Sequence, residues 1–337
     1  IKNLKTRRTS MIIGGASGPT RVSGLADRAD RVLCLTGTPI TNRPLDLFPL
    51  LRAVGHPLGD DLPVFGMRYC AGHRHEFGWD YSGASHLDEL HARLEDTLLR
   101  RRREEVLALP PKLRTYMPVE VDLASYRQVW KDYVARLATQ KRRGRRVPKR
   151  FLLAEIAKLR HAAALAKIAA AKDLVASIVE QGEKVVVFTH YHQVVQALMR
   201  HFGPAAVRVT GRDDTEARQK AVDAFQHDPA VRVFVGNLKA AGTGVSLTAA
   251  AQVVFVDYAF VPADHLQAED RPCRIGQRHA VTVTYLSAQE TIDEEIEALL
   301  AQKLAVVSQA IDGVPGSLAT SFVDDLLAIL QPPQPPV

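Results

Sequence analysis

The sequence has few cysteines and no long apolar run. Three cysteines, Cys34, Cys70 and Cys273, are scattered over 337 residues. An odd and widely spaced set excludes a disulfide scaffold and fits a reducing compartment. No segment approaches the roughly 18 apolar residues that a membrane-spanning helix needs, which excludes an integral membrane protein. With no apolar leader at its start, the chain is expected to be cytoplasmic, and its alanine- and arginine-rich composition points to a bacterial, nucleoid-associated protein.

The phosphate-binding P-loop is also missing. The pattern Gly-x-x-x-x-Gly-Lys-Ser/Thr, whose backbone amides cradle phosphates, occurs nowhere in the chain. Residues 88–91 read Asp-Glu-Leu-His, but the leucine spacing around them predicts an amphipathic helix, and we interpret them as its surface. The first residue is Ile rather than Met, which predicts that the chain is a fragment of a longer protein.

The basic excess of the chain is local. The net charge is +7 and the pI is about 9.4. Residues 100–150 hold 16 Lys and Arg against 5 Asp and Glu, so the rest of the chain carries a net charge of −4. Such a block predicts contact with a polyanion such as a nucleic-acid backbone. A solvated linker is the alternative, because like charges repel and extend a chain. Residues 141–150 are predicted to be a loop, which either contacts nucleic acid or serves as a solvated linker.

The patterning divides the chain into four segments. Residues 1–55 contain an apolar run, 31–35, that predicts a buried strand leading into a loop. Residues 56–165 are predicted to be mostly helical, with amphipathic helices over 86–99 and 123–137. Residues 166–312 alternate strands with helices. Residues 313–337 end in a proline-rich sequence, and we expect this tail to be partly disordered.

The third segment sets the fold class. Helices are predicted over 168–180 and 193–201, and the predicted strands are 184–189, 206–209, 231–235, 253–256 and 281–286. Strands that alternate with helices predict an α/β fold, in which a parallel sheet carries helices on both faces. In such sheets ligands bind at the carboxyl ends of the strands.

Two stretches of this segment suggest phosphate chemistry. In residues 267–277 a helix would place Gln267, Arg271 and Arg274 on one face, and the guanidinium fork matches phosphate oxygens. Ordinary surface arginines are the alternative reading. The glycine-rich residues 236–246 follow a predicted strand, where backbone amides can bind an anion, although a plain turn would have the same composition.

Taken together and in this order, these segments resemble the Swi/Snf-type family of superfamily-2 helicase-like motors, which are DNA-dependent ATPases with two RecA-like lobes. The resemblance runs from residue 1 to about 312. Residues 267–277 fit the family's motif VI pattern QAxxRxxRIGQ, the most specific string here. Residues 65–70 and 78–83 are similar to the annealing-helicase and fork-remodelling branch. The other matching segments are 35–39 (motif III), 98–112 (connector), 185–190 (motif IV), 210–225, 237–249 (motif V) and 291–294.

The resemblance implies roles for individual residues. Arg271 and Arg274 would act as arginine fingers near the γ-phosphate of ATP, and Gln267 would couple the phosphate to lobe closure. The remaining implied residues are Gly242, Gly244 and Ser246 for the nucleotide, Thr189, Thr210, Gly211, Lys239 and Thr243 for DNA phosphates, and Thr36, Gly37 and Thr38 for coupling between lobes. Since the first residues are similar to those that follow the family's DEAH box, the Walker A loop and the DEAH carboxylates would lie upstream.

The resemblance also implies a domain plan and a function. Residues 1–55 would be the remnant of the first RecA-like lobe, 56–165 a helical insertion with a basic connector, and 166–312 the second lobe. The chain would be the C-terminal portion of an ATP-dependent translocase on duplex or branched DNA, inactive as an ATPase by itself. ATP and Mg²⁺ would be held mainly by the missing first lobe. A non-catalytic module that binds nucleic acid or protein is the alternative, as is a pseudogene fragment.

At three places the sequence departs from the residues usual in the family, and one Cys/His series has the composition of a metal site. Phe260 and Val261 stand where the family has Trp and Asn, and Ala241 replaces a usual Gly. Ser246 stands where Asn is common, and its hydroxyl can still form a hydrogen bond. The series Cys70, His73, His75 offers three metal ligands without an obvious fourth, and structural zinc needs four. We therefore expect no metal site.

Overall fold

The computed structural model describes residues 1–4, 6–17, 20–75, 78–101, 103–142, 147–241 and 244–312. These residues form two compact units, which are described separately. The first unit contains residues 1–101, 261–263 and 299–312, and the second contains residues 103–260 and 264–298. Within the described residues, no helix has both the length and the apolar character needed to cross a bilayer.

The first unit is mainly helical, with two small hairpins. Its elements are α1 (Arg7–Ile13), β1 (Gly15–Ser17), β2 (Thr20–Val22), α2 (Phe48–Ala53), α3 (Leu62–Tyr69), β3 (His73–His75), β4 (Gly78–Asp80) and α4 (Leu87–Leu94). Strand β1 pairs with β2 and strand β3 with β4, both antiparallel. The core is aromatic and leucine-rich: the ring of Phe65 lies 5.6 Å from that of Phe48 and 5.2 Å from that of Tyr69.

The helix predicted over 86–99 is present but shorter. It ends at Leu94, and its leucines at 87, 90 and 94 are all buried, as the spacing predicts. Residues 88–91 lie on this helix, where Asp88 Oδ1 accepts a hydrogen bond from Gln309 Nε2 (3.0 Å).

The strand predicted over 31–35 is wrong. These residues have no regular secondary structure, and the side chains of Leu33 and Leu35 are 88% and 95% exposed. The described residues of this unit contain only the two hairpins as strands, so the run has no neighbouring strand to pair with. An apolar run becomes a buried strand only where neighbours satisfy its backbone and cover its side chains.

The second unit is built on a six-stranded sheet. Its elements are α5 (Arg103–Val106), β5 (Lys112–Val119), α6 (Ala124–Arg142), α7 (Lys149–Ala166), α8 (Ile168–Glu180), β6 (Val185–Thr189), α9 (His192–Phe202), β7 (Ala206–Val209), α10 (Thr215–His227), β8 (Val233–Asn237), α11 (Leu238–Ala241), β9 (Gln252–Phe255), α12 (Pro262–Glu269), β10 (Val281–Ala288) and α13 (Ile292–Asp312). The first two residues of α12 and the part of α13 from Leu299 onward are assigned to the first unit.

The order of the strands is β5-β10-β9-β6-β8-β7, and every neighbouring pair is parallel. Strand β6 lies inside the sheet, where Val187 is level with Val235 of β8 and Val254 of β9. All five residues of β6 are buried, which explains its unbroken apolar sequence. The α/β class predicted from the sequence is confirmed, and each strand predicted in 166–312 is present within a few residues.

Strand β5 was not predicted. It lies at one edge of the sheet beside β10, with Thr115 level with Thr284, and six of its eight residues are exposed. Pro118 is tolerated because an edge strand leaves one side without ladder partners. Its exposed and partly charged sequence lacks the apolar run of a buried strand. The loop predicted over 141–150 is also partly wrong, because α6 extends to Arg142 and α7 starts at Lys149; residues 143–146 lie outside the described residues.

A buried ion pair joins the start of α8 to the start of α13. Lys167 has no exposed surface, and its Nζ donates to Asp293 Oδ2 (2.5 Å) and to Leu286 O (2.9 Å). Asp293 also accepts from the backbone amide of Ala288 (3.1 Å). A buried charge is tolerated only when it is paired and hydrogen-bonded in this way.

Removing one member of this pair should destabilise the second unit strongly. We expect Asp293→Ala to lower the free energy of unfolding by about 3–5 kcal/mol, because it leaves the Lys167 ammonium buried without its counterion. Urea denaturation followed by circular dichroism measures the loss. The control is Glu216→Gln, which breaks the exposed pair between Glu216 and Lys220 (2.7 Å) and should cost less than about 1 kcal/mol. Equal losses in the two variants would contradict the prediction.

Candidate functional site

The carboxyl ends of strands β6, β8 and β9 carry a polar network centred on Asp257. This carboxylate is buried and accepts hydrogen bonds from Thr189 Oγ1 (2.5 Å), His190 Nδ1 (2.6 Å) and the His190 backbone amide (3.1 Å). Asn237 Nδ2 donates to the carbonyl of His190 (2.9 Å). Burial by itself raises the pKa of Asp257, but the hydrogen bonds and charge of His190 outweigh burial and hold this pKa below its usual value. The network fixes the turn that follows β6.

A second carboxylate organises the loop after β7. Asp213 Oδ2 accepts from the amide of Thr210 (2.6 Å) and from its hydroxyl (2.7 Å). Arg218 donates to the carbonyls of Asp213 (2.9 Å) and Thr210 (3.2 Å). Gly211 is exposed at the tip of this loop. The hydroxyls of Thr189 and Thr210, two predicted DNA contacts, thus both donate to carboxylates.

The two arginines of residues 267–277 are held against residues 245–247. The Arg271 side chain is buried, and it donates from Nε to Gln267 O (2.9 Å) and from Nη1 to Val245 O (3.2 Å). Arg274 is half-buried and donates from Nη1 to Ser246 Oγ (3.0 Å). The structure therefore brings the side chains of Arg271, Arg274 and Ser246 close to one another, with Gln267 in contact through its backbone carbonyl.

The helix expected to carry both arginines is shorter than predicted. Helix α12 ends at Glu269, and residues 270–276 form turns. Pro272 accounts for the end, since it disfavours the helical conformation in the residue before it. The arginines still lie on one side because each Nε donates to a carbonyl four residues earlier, Arg271 to Gln267 and Arg274 to Asp270 (3.2 Å).

The side chain of Gln277 also holds this loop in place. Its Nε2 donates to the carbonyls of Ala250 (2.8 Å), Thr248 (3.2 Å) and Pro272 (3.3 Å), and the side chain is buried. Gly244, at the start of this loop, has a φ of +78° and is exposed, a conformation that suits glycine. Gly242 and Thr243, two further predicted site residues, lie outside the described residues.

Glu269 is a buried carboxylate that the sequence did not single out. Arg114 of β5 binds it through two hydrogen bonds of 2.7 Å, Lys112 Nζ lies 2.8 Å away, and the Tyr285 hydroxyl donates to it (2.7 Å). Burial raises the pKa of Glu269, but the hydrogen bonds and charges of Arg114 and Lys112 more than offset burial and hold this pKa at about 2. Strand β5 is thereby tied to the residues just before Arg271.

The remaining predicted site residues lie away from the two arginines in the sequence, on α11 and in the first unit. Lys239 is exposed on α11, beyond the carboxyl end of β8. In the first unit the amide of Thr38 donates to Thr36 Oγ1 (3.1 Å), Lys2 Nζ donates to Thr38 Oγ1 (3.0 Å), and Gly37 is exposed with open space around it.

Cys70 is fully buried, and burial raises the pKa of its thiol to about 12. His73 lies on strand β3 and is exposed. In the part of the chain that the structure describes, no three His, Cys, Asp or Glu side chains are grouped so as to hold a metal ion.

Comparison with protein families gives two matches. Residues 25–168 match the model described as the SNF2-related domain, and residues 166–276 match the model described as the helicase conserved C-terminal domain. The two matches overlap at residues 166–168 and together cover residues 25–276.

Curated proteins with similar sequences carry related names. The chain is 32% identical over 302 residues to the mouse protein named DNA annealing helicase and endonuclease ZRANB3, a match that covers 86% of this chain and 28% of the mouse protein. It is 32% identical over 317 residues to the Xenopus laevis protein named SWI/SNF-related matrix-associated actin-dependent regulator of chromatin subfamily A-like protein 1, with coverage of 92% and 32%. The chain thus spans about a third of these relatives.

Solved structures with a similar fold include the C-terminal part of the Fun30 ATPase domain. It has a TM-score of 0.53 and 22% identity, and the match covers 66% of this chain and 98% of that one. The Sulfolobus solfataricus SWI2/SNF2 ATPase core in complex with dsDNA has a TM-score of 0.50 and 22% identity, with coverage of 82% and 62%. These likenesses concern the fold.

The stability that Glu269 provides should depend on pH in a defined direction. Because its pKa in the folded protein is about 2, below the ordinary 4.5, the ionised group stabilises the fold above about pH 4.5, and this stabilisation is lost as the pH falls towards 2. We expect Glu269→Gln to cost about 3 kcal/mol at pH 7, with the difference from wild type shrinking below pH 4.5.

Urea denaturation at a series of pH values measures this difference. The control is Glu290→Gln, since Glu290 is exposed and pairs with an exposed Arg127 (3.1 Å); its effect should be small at every pH. A Glu269→Gln cost that stays constant between pH 7 and pH 3 would show that the carboxylate charge is not what stabilises the cluster.

Proposed function

Because the chain belongs to the SNF2-related family of helicase-like proteins, we propose that it is the carboxyl-terminal portion of an ATP-dependent translocase on double-stranded DNA. Relatives that are named DNA annealing helicases support fork remodelling or strand annealing as the task. The observation that carries the proposal is the attachment of Arg271 and Arg274 to residues 245–246 at one end of the parallel sheet. Two guanidiniums beside a glycine-containing loop suit a group that stabilises charge on a transferring phosphate.

In this proposal the two arginines differ in what they do. Arg271 is buried and bonded to two carbonyls, so it also holds the loop in place. Arg274 is half-buried, and its bond to the exposed Ser246 hydroxyl is one that a phosphate oxygen can replace. Gln267 and Ser246 accept hydrogen bonds from these arginines, and Gly244 directly precedes Val245 in the same loop. Mg²⁺ would be held by a first lobe, whose Walker A and DEAH motifs would also supply the remaining phosphate-binding groups; this sequence contains neither motif.

The DNA contacts in the proposal are phosphate contacts. Lys239 and Gly211 are exposed near the carboxyl ends of β8 and β7, and Thr189 and Thr210 shape the turns beside them. Contacts of this kind position a protein on DNA without reading its sequence. Thr36, Gly37 and Thr38 are proposed to relay the nucleotide state, since Lys2 and the Thr36 hydroxyl hold that loop in a defined conformation.

Hydrolysis provides the first test. The chain alone should show no ATPase activity above background. When the residues encoded upstream in the same reading frame are included, DNA-stimulated hydrolysis should appear, and Arg274→Ala should lower kcat by about 1000-fold while the affinity for ATP changes little. The control is Arg278→Ala, since Arg278 is exposed four residues further on. If the longer protein binds DNA but hydrolyses no ATP, the chain belongs to a non-catalytic binding module instead.

Salt dependence provides the second test. Lys239→Ala should weaken duplex binding by the same factor on DNA of different sequences, and it should reduce the slope of log K against log salt by about 0.9, because one phosphate contact is lost. Fluorescence anisotropy at several salt concentrations measures both quantities. Lys220→Ala is the control, because the exposed Lys220 pairs with Glu216 on α10. A loss that varies with DNA sequence would argue for base contacts at Lys239.

A further inference from the structure

Strand β4 carries an exposed tryptophan that stacks on a partly buried tyrosine just after the strand, and the proposed function uses neither ring. Trp79 on β4 is 50% exposed, and its ring is nearly parallel to that of Tyr81, with an interplanar angle of 9° and centroids 6.1 Å apart. Nucleic-acid bases stack on aromatic side chains whose rings are accessible to solvent, and a half-exposed tryptophan offers such a ring.

The tyrosine of the pair is held in place by close packing on two glycines. The ring of Tyr81 packs so closely on α3 that a Cβ atom at Gly66 would lie 2.4 Å from Tyr81 Cδ1, and one at Gly72 would lie 2.9 Å from the same atom. The end of β4 is fixed as well, because the amide of Ser82 donates to Asp80 Oδ1 (2.8 Å). The aromatic surface therefore needs little ordering when it binds a ligand.

The charges of the hairpin are separated between its two faces. Arg74 is level with Trp79 across the antiparallel pair, and His73 is level with Asp80. Because side chains alternate along a strand, Arg74 shares a face with Trp79, whereas Asp80 belongs to the other face. Arg74 is exposed. Among the described residues of the hairpin, the aromatic face thus carries a cation and no carboxylate.

We infer that Trp79, Tyr81 and Arg74 form a binding site for single-stranded DNA, in which a base stacks on the aromatic pair and Arg74 contacts its phosphate. The inference rests on the proposed function for its ligand and adds the residues that would contact the unpaired segment of a forked DNA. A continuous duplex cannot use the site, because its bases are already stacked on each other. The cation beside the rings favours a polyanion over an apolar protein surface.

Intrinsic fluorescence tests the site directly. The chain has two tryptophans, so in a Trp130→Phe background the emission comes from Trp79 alone. A single-stranded oligo(dT) should quench this emission saturably as bases stack, and a blunt duplex of equal length should not. No quenching by oligo(dT) at concentrations that saturate binding would overturn the inference.

Affinity measurements provide the second readout. Trp79→Ala should weaken binding to a forked DNA about tenfold and to the blunt duplex less than twofold, while Trp79→Phe should keep most of the fork affinity. Arg74→Ala should reduce the salt slope on the fork only. Met67→Ala is the matched control, since Met67 is exposed on the neighbouring helix α3. Equal losses on fork and duplex, or no loss on either, would refute the site.

The outcome can be separated from that of the proposed function. Duplex binding that Lys239→Ala weakens, together with an unresponsive Trp79, leaves the translocase proposal standing and removes this site. If Trp79→Ala fails to fold, Arg74→Ala decides the matter, because Arg74 is exposed and its replacement leaves both aromatic rings in place; a fork affinity and salt slope unchanged by Arg74→Ala would then overturn the inference. A chain that binds neither DNA would overturn both.

Discussion

Hydrogen bonds from three side chains to one loop are the constraint on which the site depends. Arg271, Arg274 and Gln277 bind residues 245–250 mainly through backbone carbonyls. Carbonyl groups of a loop that lacks regular structure must find donors where water is excluded. Here the donors come from a second loop that is itself irregular after Pro272. Each loop thus holds the other in its conformation at this end of the sheet.

Three buried carboxylates also hold the second unit together, and each obtains its hydrogen-bond donors from a different set of groups. Asp257 accepts from a hydroxyl, an amide and an imidazole, Glu269 from two cations and a phenol, and Asp293 from an ammonium and an amide. Each joins segments that are distant in sequence. Such groups cost free energy to bury, and they impose geometry, since a carboxylate with several donors permits only one arrangement of the elements around it.

The sequence predicts the parts of this structure that follow from local pattern. Strand β6 is five consecutive apolar residues, and helix α8 begins and ends where its composition predicts. Local pattern failed where tertiary context decides. Residues 31–35 look like a buried strand but have no neighbour, and β5 is a strand although most of its side chains are exposed.

Some residues of the candidate site could likewise be predicted from the sequence, and others could not. Arg271, Arg274 and Ser246 were singled out through motifs, and in the structure Arg274 donates to Ser246 and Arg271 to the neighbouring Val245. Asp257 and Glu269 were missed, because their partners at positions 190 and 114 are 67 and 155 residues away. No spacing rule links such distant positions, and only the folded sheet brings them into contact.

The position of β5 also has a consequence for synthesis on the ribosome. Its partner β10 follows about 160 residues later in the chain. At translation rates of 5–20 residues per second, β5 waits on the order of 10–30 s for the strand it pairs with. During that interval an uncovered strand edge invites pairing with other nascent chains, and lysine and arginine side chains on such an edge discourage it. Lys112 and Arg114 would then reduce aggregation of the nascent chain through β5 until Glu269 has been synthesised and pairs with them.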